Sequence, residues 1–340
     1  MKPYTPGEQP ADTDTIIKLN TNENPYPVPD SVMHAVHAIT AQQLVRYPDA
    51  VWKNLRHAAA DNFSLNPENI FCGRGGDEVL ALILDAFCNT NDKVVMPYPN
   101  YSLYEVLCSM RGIRYTLINT APPDFDINLD ALLSPKSKLI FFTNPNAPTG
   151  RFYPLLKLER FLKKYKGLFI CDEAYIDFGG ISAIPLLKDF PNLIIVKTLS
   201  KACSLAGLRL GFALAAPNLI EALMRIKDSY NLDWYQQALG CAAFKHMGVL
   251  NNNLQKIISS RIDMYEALKG LRFTIIPSKA NFLFVRHPDI PGEKLYQRLK
   301  ENNIYIRWWN KPLINDWIRI TIGTPKQCTA LITALESILK

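Results

Sequence analysis

Two apolar runs that end in polar chemistry decide how this chain is read: Leu168-Phe169-Ile170-Cys171-Asp172-Glu173-Ala174-Tyr175 and Leu193-Ile194-Ile195-Val196-Lys197-Thr198-Leu199-Ser200-Lys201. Short continuous apolar runs rich in β-branched residues are the pattern of strands buried on both faces. In an open α/β sheet, ligands bind outside the carboxyl ends of the strands. Asp172, Ser200 and Lys201 all fall at such ends, so groups distant in sequence are expected to converge.

The surrounding pattern extends the same sheet. Strands are expected at 70–72, 93–96, 114–118, 138–143 and 210–214. Helices are expected through residue 87 and over 101–111, 155–165 and 217–229. This alternation predicts an α/β fold, a mainly parallel central sheet with helices on both faces. Residues 249–340 change character. A long helix over 251–269 precedes strands at 273–276 and 281–285, a helix over 291–301, strands at 304–306 and 318–322, and a last helix. They read as a smaller C-terminal α+β domain whose helices cover one face of a mainly antiparallel sheet. Residues 1–30, rich in Pro, Asn and Asp, read as an extended arm rather than a packed element. Short helices follow at 31–40 and 50–61, with Asp49 as N-cap of the second. The expected division is an arm at 1–30, a large domain at 31–248 and a small domain at 249–340.

Composition sets bounds on the partners. The 340 residues are 48% hydrophobic and 20% charged, enough to bury a large core. The net charge of +7 is spread among acidic residues, the pattern of a solvated surface rather than a nucleic-acid patch. A mildly positive field suits phosphate-bearing ligands. Seven cysteines, with no Cys-x-x-Cys pair, argue against a disulfide framework and for the cytoplasm. The first residues lack the apolar core of a secretory signal. The longest apolar stretch, 79–87, is too short for a membrane span and contains Asp85. His34, His37, His57, His246 and His287 form no metal pattern, and no metal is expected.

The polar residues at the strand ends suit one kind of ligand. A carboxylate (Asp172), a lysine with a serine beside it (Lys201, Ser200) and an arginine between glycines (Gly207-Leu208-Arg209-Leu210-Gly211) could hold a basic aromatic ring that carries an aldehyde and a phosphate. Pyridoxal phosphate fits that description. Ionised Asp172 beside the ring nitrogen would keep it protonated and make the ring an electron sink. Lys201 would bond the aldehyde and, once displaced, move a proton at the substrate Cα. Gly73-Arg74-Gly75-Gly76-Asp77-Glu78 lies between a strand and a helix, where backbone N–H groups bind anions. Ser200 and Arg209 would add a hydroxyl and a charge-assisted pair. An acidic pair after an apolar strand also occurs in nucleotide sites, but the phosphate-loop motif that this requires is missing. Glu78 occupies the third glycine position of a dinucleotide fingerprint, which argues against a nicotinamide enzyme.

These motifs resemble those of the fold-type I, class I/II aminotransferases. The finer similarity is to the histidinol-phosphate aminotransferase group, carried by Leu19-Asn20-Thr21-Asn22-Glu23-Asn24-Pro25, Arg46-Tyr47-Pro48-Asp49, the 73–78 run, Asp172-Glu173-Ala174-Tyr175-Ile176, Thr198 to Lys201, Ala206-Gly207-Leu208-Arg209 and the 318–323 strand. The resemblance implies pyridoxal phosphate on Lys201, with Asp172 on the ring nitrogen and Tyr175 on the ring oxygen. Gly76, Asp77, Ser200 and Arg209 would hold the phosphate, and Tyr101 would stack on the ring. Tyr47 would reach the phosphate of the neighbouring subunit, which implies a homodimer. Arg319 and Arg307 would bind the substrate's anionic end, with Asn24 nearby. The family's ring-contacting asparagine sits directly before Pro-Thr-Gly, where this chain has Ala147, so Asn146 is the nearest substitute. The implied reaction exchanges an amino group between a phosphorylated amine, histidinol phosphate, and the 2-oxo acid 2-oxoglutarate. Threonine-phosphate decarboxylation and aromatic-amino-acid transamination are the nearest alternatives. A non-catalytic cofactor-binding regulator would carry an added DNA-binding domain, which the arm is too short to be.

Overall fold

The computed structural model describes residues 4–10, 15–133 and 136–340. Parts of the N-terminal arm, 1–3 and 11–14, therefore lie outside the described residues. Seven strands form the central sheet in the spatial order Ile70–Gly73, Gly211–Ala215, Leu193–Thr198, Leu168–Asp172, Leu139–Thr143, Lys93–Tyr98, Arg114–Asn119. Gly211–Ala215 runs antiparallel to both of its neighbours; the other pairings are parallel. Every residue of Leu139–Thr143 and Gly211–Ala215 is buried. Burial at consecutive positions means that both faces of the sheet are covered, which explains the continuous apolar runs. Register pairs Thr143 with Asp172 and Asp172 with Val196, so the polar chain ends emerge along one rim.

A second, four-stranded sheet is antiparallel throughout, in the order Arg307–Trp308, Ile318–Thr321, Phe282–Arg286, Thr274–Ile276. The helices Met247–Gly270 and Pro325–Leu339 pack against each other beside it.

The arm departs from its reading as unpacked. Ile17–Lys18 pairs in parallel with Ile304–Tyr305, which therefore leaves the antiparallel sheet to form a two-stranded one. Leu19, Asn20 and Asn22 are buried. Leu19 donates its N–H to the Tyr305 carbonyl (2.7 Å) and accepts from the Thr321 N–H (3.0 Å). A buried backbone needs such partners, and a sequence rich in Asn and Pro does not reveal that they come from 286 and 302 residues away.

Two helix details also differ. The helix Lys53–Phe63 begins after Trp52, which has φ 49° and makes no side-chain cap. Asp49 is not the N-cap, although its carboxylate accepts the N–H of Lys53 at 2.6 Å from further upstream. The helix Trp234–Lys245 was not expected, because buried Gln236 and Gly240 blur its apolar period. Its start is marked by a reciprocal pair in which the Asp233 side chain accepts from Gln236 N–H and the Gln236 side chain accepts from Asp233 N–H.

Candidate active site

The rim of the central sheet opens into a cavity of about 210 Å³ that the small sheet and the arm close from the other side. Gly76, Asp77, Tyr101, Asp172, Tyr175, Ser200, Lys201, Arg209, Arg307 and Arg319 all line it.

Asp172 ends its strand 5% exposed. Its Oδ2 accepts from the Tyr104 hydroxyl at 2.7 Å and its Oδ1 from the Ala174 N–H at 3.1 Å. Burial pushes its pKa up to about 6, against the pull of these two donors. Tyr104 is fully buried, stacks on Phe141 and shares a 2.7 Å hydrogen bond with Thr143 Oγ1. Sequence reasoning missed it. The only signal was a second tyrosine one helical turn after Tyr101.

Lys201 follows the strand Leu193–Thr198, and its Nζ donates to the Thr21 carbonyl at 3.1 Å. Burial, then Arg319, lowers its pKa to about 8, although Glu23 opposes them. About a tenth of the amine is therefore neutral at pH 7, far more than for an ordinary lysine, and the neutral form is the one that bonds an aldehyde. Lys197 also lines the cavity but is differently placed. Burial alone would lower its pKa, yet Asp177 (3.0 Å) and Glu173 (3.8 Å) outweigh that and hold it above the ordinary value.

The anion end is built on backbone. The helix Gly75–Phe87 starts at the cavity, and its first N–H groups have no partner within the helix. Gly75 has φ +77°, and a Cβ there would lie 2.7 Å from Arg209 Nη2. A Cβ on Gly211 would lie 2.5 Å from the Gly76 nitrogen, so only glycine lets the two segments meet. Arg209 itself adopts φ 53°, which aims its guanidinium at Asp77 (2.9 Å) and Ser200 Oγ (3.5 Å). The Asp77 carboxylate is thus the partner of Arg209 and of the Tyr101 hydroxyl (3.1 Å). Its negative charge would repel an anion, so the groups it can offer are its backbone N–H and its grip on Arg209.

Four expected residues are placed differently from the rest. Asn146 is not among the lining residues. Its amide oxygen accepts from Thr149 N–H and Oγ1 and its nitrogen donates to the Pro99 carbonyl, so the side chain is tied to its own turn and to Pro99, away from the cavity lining. Ala147 faces the cavity in its place. Asn24 does not line the cavity either. It donates to the carbonyls of Lys201 (3.2 Å) and Ala202 (3.3 Å), a hold on the lysine loop rather than on a substrate. Tyr47 lies outside its own chain's cavity, 76% exposed and stacked on Tyr230 with ring centroids 4.4 Å apart. Arg307 does line the cavity, but its guanidinium donates to the carbonyls of Thr5 and Pro6.

Arg319 donates to the Asn20 carbonyl at 2.9 Å and lies between the Phe282 and Trp309 rings, while its Nε is buried without a partner. Burial lowers its pKa to about 10. Both amide atoms of Asn100 and one carboxylate oxygen of Glu105 are likewise buried and unpaired beside the cavity. Buried polar atoms are normally satisfied, so these are atoms that a ligand or water in the cavity could pair with.

The residues fit a phosphorylated pyridine. A carboxylate for the ring nitrogen, an amine for the aldehyde, a phenol for the ring oxygen and a glycine cradle with Arg209 and Ser200 for the phosphate line one cavity. Its remaining walls include Val196 and Ala174.

Comparisons with known proteins agree with this chemistry. A family model described as aminotransferase class I and II matches residues 14–335. Histidinol-phosphate aminotransferase 2 of Thiobacillus denitrificans is 41% identical over 99% of this chain and 95% of its own length. The histidinol-phosphate aminotransferase of Gluconacetobacter diazotrophicus is 41% identical over 100% of this chain and 96% of its own. Among solved structures, that of histidinol-phosphate aminotransferase from Sinorhizobium meliloti in complex with pyridoxal-5'-phosphate superposes with a TM-score of 0.88 at 25% identity, covering 96% of this chain and 91% of that one.

Proposed function

We infer the reaction from one premise: the chain belongs to the class I and II aminotransferase family. It is a pyridoxal-phosphate-dependent transaminase that moves an amino group between histidinol phosphate and 2-oxoglutarate, with imidazole-acetol phosphate and glutamate as the other pair, in histidine biosynthesis. The observation that carries this reading is the convergence of a lysine with a lowered pKa, a buried carboxylate and a glycine-lined anion cradle in one cavity. The near full-length similarity to histidinol-phosphate aminotransferases supports the substrate.

Bound pyridoxal phosphate supplies an electron sink for the bond electrons left at the substrate Cα. The chain supplies the rest. Lys201 Nζ would bond the cofactor aldehyde, and as a free amine it would move the proton at the substrate Cα. Asp172 would hold a proton on the ring nitrogen. The backbone N–H groups of Gly76 and Asp77, with Ser200 and Arg209, would anchor the phosphate; Tyr101 would cover the ring; Tyr175 would donate to the ring oxygen. Arg319 and Arg307 take the substrate's phosphate dianion, which two guanidinium forks match better than one. Arg307 must then exchange the Thr5 and Pro6 carbonyls for phosphate oxygens.

One feature favours histidinol phosphate over phenylalanine. Asn100 has an unpaired donor and an unpaired acceptor, and it lines the same cavity as Glu105, one of whose carboxylate oxygens is also unpaired. A neutral imidazole carries one of each and a phenyl ring neither. Asn100→Ala should lower kcat/KM for histidinol phosphate by about tenfold, the worth of one good hydrogen bond, and leave phenylalanine turnover unchanged. Equal losses on both substrates would remove this argument.

The working unit is a homodimer in the cytoplasm, a compartment that keeps the seven free cysteines reduced. Leu44, Val45, Tyr47 and Val51 are exposed large apolar or aromatic side chains close in sequence, and Tyr230 and Tyr235 are a second exposed pair that the Tyr47–Tyr230 stack joins to them. A partner subunit covering them would bring Tyr47 to the neighbouring phosphate.

A further inference from the structure

The wall beside the Tyr175 ring is apolar. Tyr175 packs with Ala147, Ala280 and Phe282, the last edge-on at 5.1 Å between ring centroids. Ala147 puts a methyl group where an amide would be needed to contact a ring oxygen. Among the described residues, the recorded hydrogen-bond partner of the Tyr175 hydroxyl is Asn22, whose Nδ2 lies 3.0 Å away.

Asn22 is held with its amide nitrogen facing Tyr175. Its backbone N–H donates to Thr321 Oγ1 at 3.0 Å. The Thr321 hydroxyl donates its own proton to Asn22 Oδ1 at 3.1 Å. In this orientation the amide oxygen takes the Thr321 proton and the NH₂ group faces Tyr175, whereas the flipped amide would take that acceptor away from the Thr321 hydroxyl. Asn281 Nδ2 donates to the Asn22 carbonyl at 3.0 Å, and Asn22 is 1% exposed. Its φ of 56° is a left-handed conformation that asparagine tolerates better than most residues.

The consequence lies at the hydroxyl proton. A phenol oxygen that accepts from Asn22 keeps its own proton free to donate elsewhere. We propose that Asn22 is a positioning residue that turns the Tyr175 O–H into the cavity as a donor to the cofactor's ring oxygen, supplying through Tyr175 the polar control that Ala147 cannot. Thr321 lies two residues beyond Arg319 on the same strand, so this chain of hydrogen bonds also ties the substrate-binding strand to the cofactor.

The proposal rests on the pyridoxal-phosphate reading, and its test separates the two. A hydrogen bond donated to the ring oxygen stabilises negative charge there. Its loss therefore raises the pH at which the lysine-bound cofactor gives up its proton, an event followed by the visible absorption band. Asn22→Gly keeps the left-handed backbone and removes the amide. Asn22→Asp keeps the shape but offers only acceptors, so the Tyr175 proton turns toward it. The band titration should move upward by about one pH unit in Asn22→Gly, the scale of one hydrogen bond, and further in Asn22→Asp. In a Tyr175→Phe background, Asn22→Gly should move it no further, which a merely structural role would not produce. An unmoved titration in both single variants, or an equal shift with Tyr175 absent, overturns the proposal. A wild-type protein that takes up pyridoxal phosphate without any visible band overturns the cofactor reading instead.

Discussion

Lys197 and Lys201 lie four residues apart and line one cavity, yet their surroundings equip them for different work. Two carboxylates hold Lys197 charged, whereas burial and Arg319 bring Lys201 down to about 8. The sign of the pH effect follows. The neutral amine attacks the aldehyde, so recovery of the visible band after pyridoxal phosphate is added to apoprotein should accelerate about tenfold per pH unit up to about 8 and level off above it. A rate that is flat from pH 6 to 9, read in a stopped-flow absorbance trace, would remove Lys201 from this role. Lys201→Ala should lower turnover by roughly 10³-fold or more while the cofactor still binds through Asp172 and Arg209. Tyr104 acts one step behind. Removing its donor in Tyr104→Phe should raise the Asp172 pKa above about 6, because one of the two hydrogen bonds to the carboxylate is gone. On acidification the variant should therefore release cofactor at a higher pH than the parent, measured by ultrafiltration. At this scale the sequence was legible where chemistry and strand end coincide, as at Asp172, Ser200 and Lys201. It was not legible where a side chain acts through a fold neighbour. Tyr104, Asn22 and Asn24 owe their roles to partners 68, 153 and 177 residues away.

Elements bring those partners together. The helix Gly75–Phe87 and the strand Gly211–Ala215 meet backbone to backbone, and their glycines make the phosphate cradle possible. Gly211→Ala should cost about 1–3 kcal/mol of stability through overpacking and loosen the cofactor, both visible in thermal melts with and without pyridoxal phosphate. A variant with parental Tm and cofactor retention would mean that the cradle can give. Alternating apolar runs made the central sheet readable, since burial on both faces leaves few compositions open. The arm was read less well. Its residues have the composition of a loop, and they pack because Asn side chains satisfy buried backbone, a use that polarity alone does not advertise. The same reason accounts for Asn146, which looked available for the ring but closes its own turn instead.

At the scale of the whole molecule, the cavity draws on the large sheet, the small sheet and the arm, and the proposed dimer adds Tyr47 from a second copy. Mixed dimers test that arrangement. Lys201→Ala and Tyr47→Ala homodimers should each be impaired, while co-refolded mixtures should regain activity, because one of the two sites then combines Lys201 of one subunit with Tyr47 of the other. Failure to regain activity would place Tyr47 outside the site. The central claim is the reaction itself, and a single half-turnover addresses it most directly. Histidinol phosphate added to the holoprotein should bleach the visible band of the lysine-bound cofactor within one turnover, and 2-oxoglutarate should restore it. Faster bleaching by phenylalanine, or release of carbon dioxide from threonine phosphate in preference to any exchange with histidinol phosphate, would contradict it.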